Sequence, residues 1–105
     1  MAGVVYEVGE KEKGRIMSFT LKQKDGSVFN LANFDGLTFP LGVFLKVEKG
    51  NTIYFTVDST SLGTIHYDML GTEWKAGVYR AQIIAKDSTR RFDWEVFTLK
   101  VNPSL

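Results

Sequence analysis

The chain has 105 residues, 44% of them hydrophobic and 24% charged, the make-up of one globular domain and not of a disordered segment. Its 13 basic and 12 acidic residues leave a formal charge of +1, so overall charge points to neither nucleic acid nor an acidic membrane as partner. With no cysteine, disulfides, thiolate metal sites and cysteine nucleophiles are excluded, and a reducing compartment suits the chain.

The N-terminal run MAGVVYEVGEKEKGR lacks the basic start, apolar stretch and small-residue cleavage site of a secretory leader, and none is expected. No apolar run approaches the roughly 20 residues of a membrane-spanning helix. A first strand, VVYEV (4–8), is set off by the glycine-flanked VGEKEKG (8–14), whose alternating charges mark a solvated loop. RIMSFTLK (15–22) alternates, with Met17, Phe19 and Leu21 on one face and Ile16, Ser18, Thr20 and Lys22 on the other. Lys24-Asp25-Gly26 marks a tight turn, because Asp and Gly tolerate positive φ. SVFNL (27–31) is predicted to return as a short strand, and ANFDGLTFPLG (32–42), with two Gly and one Pro, reads as a crossing between sheets. VFLKVE (43–48) turns Val43, Leu45 and Val47 inward. After the turn at Lys49–Asn51, TIYFTVD (52–58) does the same with Ile53, Phe55 and Val57.

The second half repeats the pattern. STSLG (59–63) is a polar loop, and TIHYDM (64–69) groups Ile65, Tyr67 and Met69. LGTEWKAG (70–77) is a connection with room for one helical turn. VYRAQIIAK (78–86) places Tyr79, Ala81, Ile83 and Ala85 on one face, and KDSTR (86–90) turns the chain into RFDWEVFTLKV (91–101). There Phe92, Trp94 and Val96 share one parity while Phe97, Leu99 and Val101 take the other, so a β-bulge is expected at Val96–Phe97. Short strands separated by turn signals, with no sustained helical spacing, predict an all-β fold in a single domain over 1–105. KAGVYRAQI (75–83) sharpens this to an immunoglobulin-like β-sandwich of about seven antiparallel strands: a small-residue turn, a tyrosine, then an alternating strand. Antibody domains place a cysteine two residues after that tyrosine; here the position is Ala81. Tyr79 is expected to be a structural corner, its hydroxyl bonded to the backbone near Trp74–Ala76.

Residues able to carry chemistry are sparse. His66, the one histidine, lies at the polar parity of its strand beside Thr64 and Asp68, and Ser59, Thr60 and Ser61 read as loop. One histidine without cysteine makes a poor zinc site. Asp58, Asp68, Asp87, Asp93 and Glu95 match no calcium-loop spacing; solvated faces and turn caps explain them more simply than a glycosidase carboxylate pair, whose geometry only the fold would set. No phosphate-cradling glycine pattern occurs. The expectation is a non-enzyme with no catalytic, metal or cofactor-binding residues.

Eight Phe, four Tyr and two Trp are many for so small a core. Phe44 and Tyr54 fall opposite their strands' core parity, Arg80 and Gln82 share an outward face with Val78 and Ile84, and Trp94 sits at the expected bulge. These five residues (Phe44, Tyr54, Arg80, Gln82 and Trp94) are the interface candidates, since aromatics and Arg are enriched at interfaces; the competing reading is an ordinary mixed surface. A carbohydrate-binding or cell-surface module with Trp74 or Trp94 as sugar platform is the alternative, and the missing leader counts against it. Lys46, Glu48, Lys100 and Pro103 either guard exposed strand edges or mark edges completed by a neighbour.

The run GRIMSFTLKQKDGSVFNLANF, Gly14 to Phe34, resembles the opening of the immunoglobulin-like domain at the N-terminus of phage baseplate upper proteins: a hydrophobic strand ending in Asp25-Gly26, then a short strand from Val28 to Leu31. TIHYDML (64–70) looks like that family's strand before its extended connection. Ala76 to Gln82 is similar to its Gly-x-Tyr strand start, and FDWEVFTLKV (92–101) to its closing strand. The resemblance spans roughly residues 14–101 and rests on order and spacing. It implies a phage virion protein of the tail or baseplate, made and assembled in the bacterial cytoplasm and localised to the virion. Its implied partners are other virion proteins or further copies of itself, docking symmetrically or head to tail, with no nucleic acid, membrane or cofactor. Members usually continue into further segments; a chain ending at Leu105 is expected to be a small tail, baseplate or head-decorating subunit.

Overall fold

Strand formation follows the alternation closely. The computed structural model describes residues 4–105; the first residues of the run read above for a leader lie outside them. Nine strands occur among the described residues: β1 (Val5–Gly9), β2 (Ile16–Thr20), β3 (Gly42–Val47), β4 (Ile53–Tyr54), β5 (Thr56–Ser59), β6 (Thr64–Asp68), β7 (Gly77–Lys86), β8 (Arg91–Asp93) and β9 (Phe97–Asn102). They form two sheets. The larger has the order β1-β9-β7-β3-β4, with β8 also paired to β7, and the smaller has the order β2-β6-β5. The chain crosses from the small to the large sheet between β2 and β3, over the glycine- and proline-containing stretch 32–42.

Inward residues from both sheets meet in one apolar core. Met17, Leu21 and Ile65 of the small-sheet side face Val43, Leu45, Val47, Ala81, Ile83, Ala85, Leu99 and Val101 of the large sheet. All of them lie at the parity their strands assign to the interior, because a pleated strand sends alternate side chains to opposite faces. Burial of that apolar area is the main favourable term available to a chain without disulfides.

Three expectations need correction. The strands are not all antiparallel: β1 pairs with β9 in parallel, Val5 opposite Thr98 through Gly9 opposite Asn102. The chain enters and leaves the large sheet side by side at its edge, a pairing of residues over ninety positions apart that local pattern does not encode. SVFNL forms no strand; Val28 makes a single bridge to Lys22, while the Leu31 N–H bonds the Thr60 carbonyl in a loop, so no continuous ladder develops. Stretch 70–77 contains no helical turn, only bends.

Two predicted single strands are each interrupted. TIYFTVD breaks at Phe55 into β4, which pairs with β3, and β5, which pairs with β6, so one stretch of chain passes from the large sheet to the small and closes that side. RFDWEVFTLKV breaks into β8 and β9, both alongside β7. Ile84 faces Asp93 and Ala81 faces Phe97, so residues 94–96 oppose only Gln82 and Ile83. That extra residue is the bulge, and it reverses the parity of everything after it. On the side away from β4 and β5, the edge strands β1 and β2 are not hydrogen-bonded to each other; Tyr6 and Phe19 meet between them at 5.2 Å.

Candidate interaction surfaces

The outward residues of the large sheet form its widest side-chain array. Cross-strand register places Tyr54 beside Phe44, Phe44 beside Ile84, and Ile84 beside Asp93. The next rows carry Lys46 beside Gln82, then Arg80 beside Thr98 and Val5. Phe44 and Tyr54 are half-buried, with ring centroids 5.3 Å apart. Phe39, from the crossing loop, stacks edge-on against Tyr54 at 5.1 Å and remains 75% exposed. Burial pushes the Tyr54 phenol up from its ordinary value. The result is an aromatic ridge of Phe39, Tyr54 and Phe44 along the β3–β4 edge.

Ile84, outward by the parity of its strand, is nevertheless shielded from water. It is 0% exposed, yet it lies outside the main core, flanked by its cross-strand partners Phe44 and Asp93. Val78, three rows further along the same strand face, is open to solvent.

The five interface candidates do not form one surface. Phe44, Tyr54, Arg80 and Gln82 share the outer face, but Trp94 turns away from it. Its ring packs edge-on against Phe29 at 4.9 Å, and its indole N–H donates to the Lys22 carbonyl at 2.9 Å. Trp94 thereby belongs to an aromatic box with Phe29, Phe34 and Phe92, whose centroids lie 5.0–5.9 Å apart. Gln82 donates through Nε2 to the Trp94 carbonyl at 2.8 Å, supplying a hydrogen bond where the ladder is broken at the bulge. Arg80 is exposed and lies 3.7 Å from Glu48; with Arg91–Asp93 at 2.9 Å and Lys100–Glu7 at 4.0 Å it makes a charged rim. Such exposed pairs contribute at most about 1 kcal/mol each and act mainly on selectivity.

Of the two tryptophans, Trp94 is half-buried, whereas Trp74 presents no free platform for a sugar. Trp74 is 6% exposed. Its indole N–H donates to the Asn51 carbonyl at 2.9 Å, and the Asn51 amide donates to the Glu73 carbonyl at 2.7 Å, a reciprocal clamp between the 49–51 turn and the 70–77 connection. Gly50 lies directly over it: a Cβ there would stand 3.1 Å from Trp74 Cδ1.

Tyr79 donates its hydroxyl to the Lys75 carbonyl at 2.7 Å, and Ala81, two residues on, is buried. His66 lies on the outer face of the small sheet, with Nδ1 2.5 Å from Asp58 Oδ1 and Nε2 3.8 Å from Asp68 Oδ2. Its ring nitrogens face carboxylates, and Ser59 Oγ instead accepts the Leu62 N–H. Among the described residues no group of three or more His, Cys, Asp or Glu is placed to hold a metal ion, and no helix is long and apolar enough to cross a membrane.

Sequence reasoning missed Glu73, the buried carboxylate of the 70–77 connection. It accepts the Leu70 N–H at 2.7 Å, the Gly71 N–H at 3.0 Å and the Tyr67 hydroxyl at 2.7 Å. Burial alone would raise its pKa, but these hydrogen bonds outweigh burial and hold it below the ordinary carboxylate value. Burial and the adjacent carboxylate push the Tyr67 phenol up to about 12. The one available sequence signal was an acidic residue three positions after Leu70, where it can cap the turn.

Comparison with protein-family models, with curated proteins and with solved structures returned no match to this chain.

Proposed function

We propose that this chain is a non-enzymatic structural subunit of a phage virion, an immunoglobulin-like sandwich of the tail or baseplate that works through protein–protein contacts. The observation that carries the reading is the aromatic ridge on the outer face of the large sheet, where Phe39 stands 75% exposed against Tyr54 and Phe44. A projecting aromatic beside a charged rim is the composition of an interface core and its surround. The immunoglobulin-like part of the reading is supported by the Tyr79 corner, whose hydroxyl reaches back to Lys75 as the tyrosine corner of such domains does. With Ala81 packed where a bridging cysteine would stand, the corner needs no oxidising compartment.

The test is light scattering of the purified chain across a concentration series, beside the double variant Phe39→Ser, Tyr54→Ser. Growth to a defined oligomer that the substitutions abolish supports the reading. Growth unchanged by the substitutions, or a monomer at every concentration, overturns it in this form. A glycan-array signal from such a monomer would move the assignment to a carbohydrate-binding module.

A further inference from the structure

The free strand edges among the described residues are not equally guarded. Natural sheets protect edges with short strands, charged side chains, proline or bulges, because unpaired N–H and C=O groups template pairing with another chain. β4 has two residues and β8 three. β5 carries Asp58 and a register shift between Val57 and Ser59, and β1 carries Glu7. β2 has none of these devices. From Ile16 to Thr20 it bears no charge and no proline, and its register with β6 is unbroken from Ile16–Asp68 to Thr20–Thr64.

The backbone groups this edge offers can be named. The Leu21 N–H donates to the Gly63 carbonyl and the Met69 N–H to the Arg15 carbonyl, each at 2.8 Å. Odd-numbered residues therefore bond towards β6, and antiparallel alternation turns the N–H and C=O of Ile16, Ser18 and Thr20 outwards. All three side chains are exposed, Ile16 by 58%. Beside this edge, in the open side of the sandwich, lies an apolar groove of ≈ 300 Å³ lined by Val4, Val5, Phe19, Leu21, Val96 and Phe97.

We infer that β2 pairs antiparallel with β2 of a second copy of the chain about a two-fold axis at Ser18, joining two three-stranded sheets into one. In this register Ser18 faces Ser18, Ile16 faces Thr20, Met17 faces Phe19 and Arg15 faces Leu21. The segment is self-complementary, as a two-fold contact requires, and no like charges meet. The same operation brings the open sides of both sandwiches together, so the two grooves and the exposed Val4 and Val5 cover one another. A five-residue pairing spans only about 17 Å and, even with the grooves, is small beside the roughly 800 Å² per partner of a stable complex. The dimer is accordingly a concentration-dependent one. The inference rests on the reading of a module that works through protein contacts, but uses a surface separate from the aromatic ridge.

The experiment is light scattering of the full chain from micromolar to millimolar concentration, for wild type, Ser18→Lys, Ser18→Asp and an equal mixture of the two variants, with thermal melts confirming that each remains folded. Wild type is expected to rise towards twice the chain mass. Each variant alone places like charges directly opposite across the axis and is expected to dimerise at least about tenfold more weakly. The mixture, with Lys facing Asp, is expected to recover the dimer. A monomeric wild type, dimerisation undiminished in both variants, or a mixture no better than its components would each overturn the inference. Association abolished by Phe39→Ser, Tyr54→Ser but untouched at Ser18 would sink the edge pairing and leave the outer-face reading standing; the converse pattern would do the reverse.

Discussion

Replacing Glu73 tests the strongest local polar arrangement in the fold. The side chain is 7% exposed and accepts from two backbone N–H groups and one phenol. Hydrogen bonds to a charged group contribute about 1.5–3 kcal/mol each, but three donors on one carboxylate act as a unit and do not add. Glu73→Ala leaves the donors without their acceptor and is expected to cost about 3 kcal/mol, a large share of the ~5–15 kcal/mol that holds a domain folded. That corresponds to a melting point lower by roughly 15 °C. Glu73→Gln keeps one acceptor oxygen but points an NH₂ at a donor, and about 2 kcal/mol is expected at about pH 7.

The acid dependence has a definite sign. Glu73 has its folded pKa held below the ordinary 4.5, so its stabilisation is full above the unfolded value and is lost as pH falls through the folded one. Glu10, Glu12, Asp25 and Asp87 are also lowered, chiefly by hydrogen bonds from Ala76, Arg15, Ser27 and Thr89 respectively, and add to the same acid slope. Urea melts at about pH 7 and about pH 3 should therefore show the gap between wild type and Glu73→Gln narrowing on acidification. Equal midpoints at neutral pH, or a gap that does not narrow, would refute the account of Glu73 as an ionised latch.

Tyr79→Phe removes only the bond to the Lys75 carbonyl and should lower stability by about 1 kcal/mol in a denaturant melt; no change would remove the corner from the account. Ile84→Ala should cost about 2–5 kcal/mol despite its outward parity, because the side chain is fully enclosed, whereas a value near zero would mean the outer face is open to water. Gly63 has φ +66°, and a Cβ there would sit 2.8 Å from the carbonyl oxygens of Leu21 and Phe29. Gly63→Ala is expected to cost at least about 1–3 kcal/mol, read as a lower melting temperature.

The interior was legible in the sequence wherever one strand face meets one core. Met17, Leu21, Val43, Leu45, Val47, Ile65, Ala81, Ile83 and Ala85 occupy the interior that simple alternation assigns them. The parity break at Val96–Phe97 likewise pointed to a bulge before any partner strand was known, since one extra residue must invert all later positions, and the register puts that residue within 94–96. The candidate surface was legible only in part. Phe44 and Tyr54 stood out by parity, but Phe39 lies in a loop where parity has no meaning, and Trp94 was ambiguous because the bulge hides which face it takes.

What the sequence by itself determined is local: the period of each strand, the turns that end it, and the identity of its apolar face, all of which follow from pleat geometry and the φ preferences of a few residues. What only the tertiary structure decided is non-local. The parallel pairing of β1 with β9, the enclosure of Ile84 and the clamp on Trp74 each join residues whose proximity no window of sequence contains. The open β2 edge is of the same kind, because a strand's own residues specify which face is wet but not which of its two edges finds a neighbour.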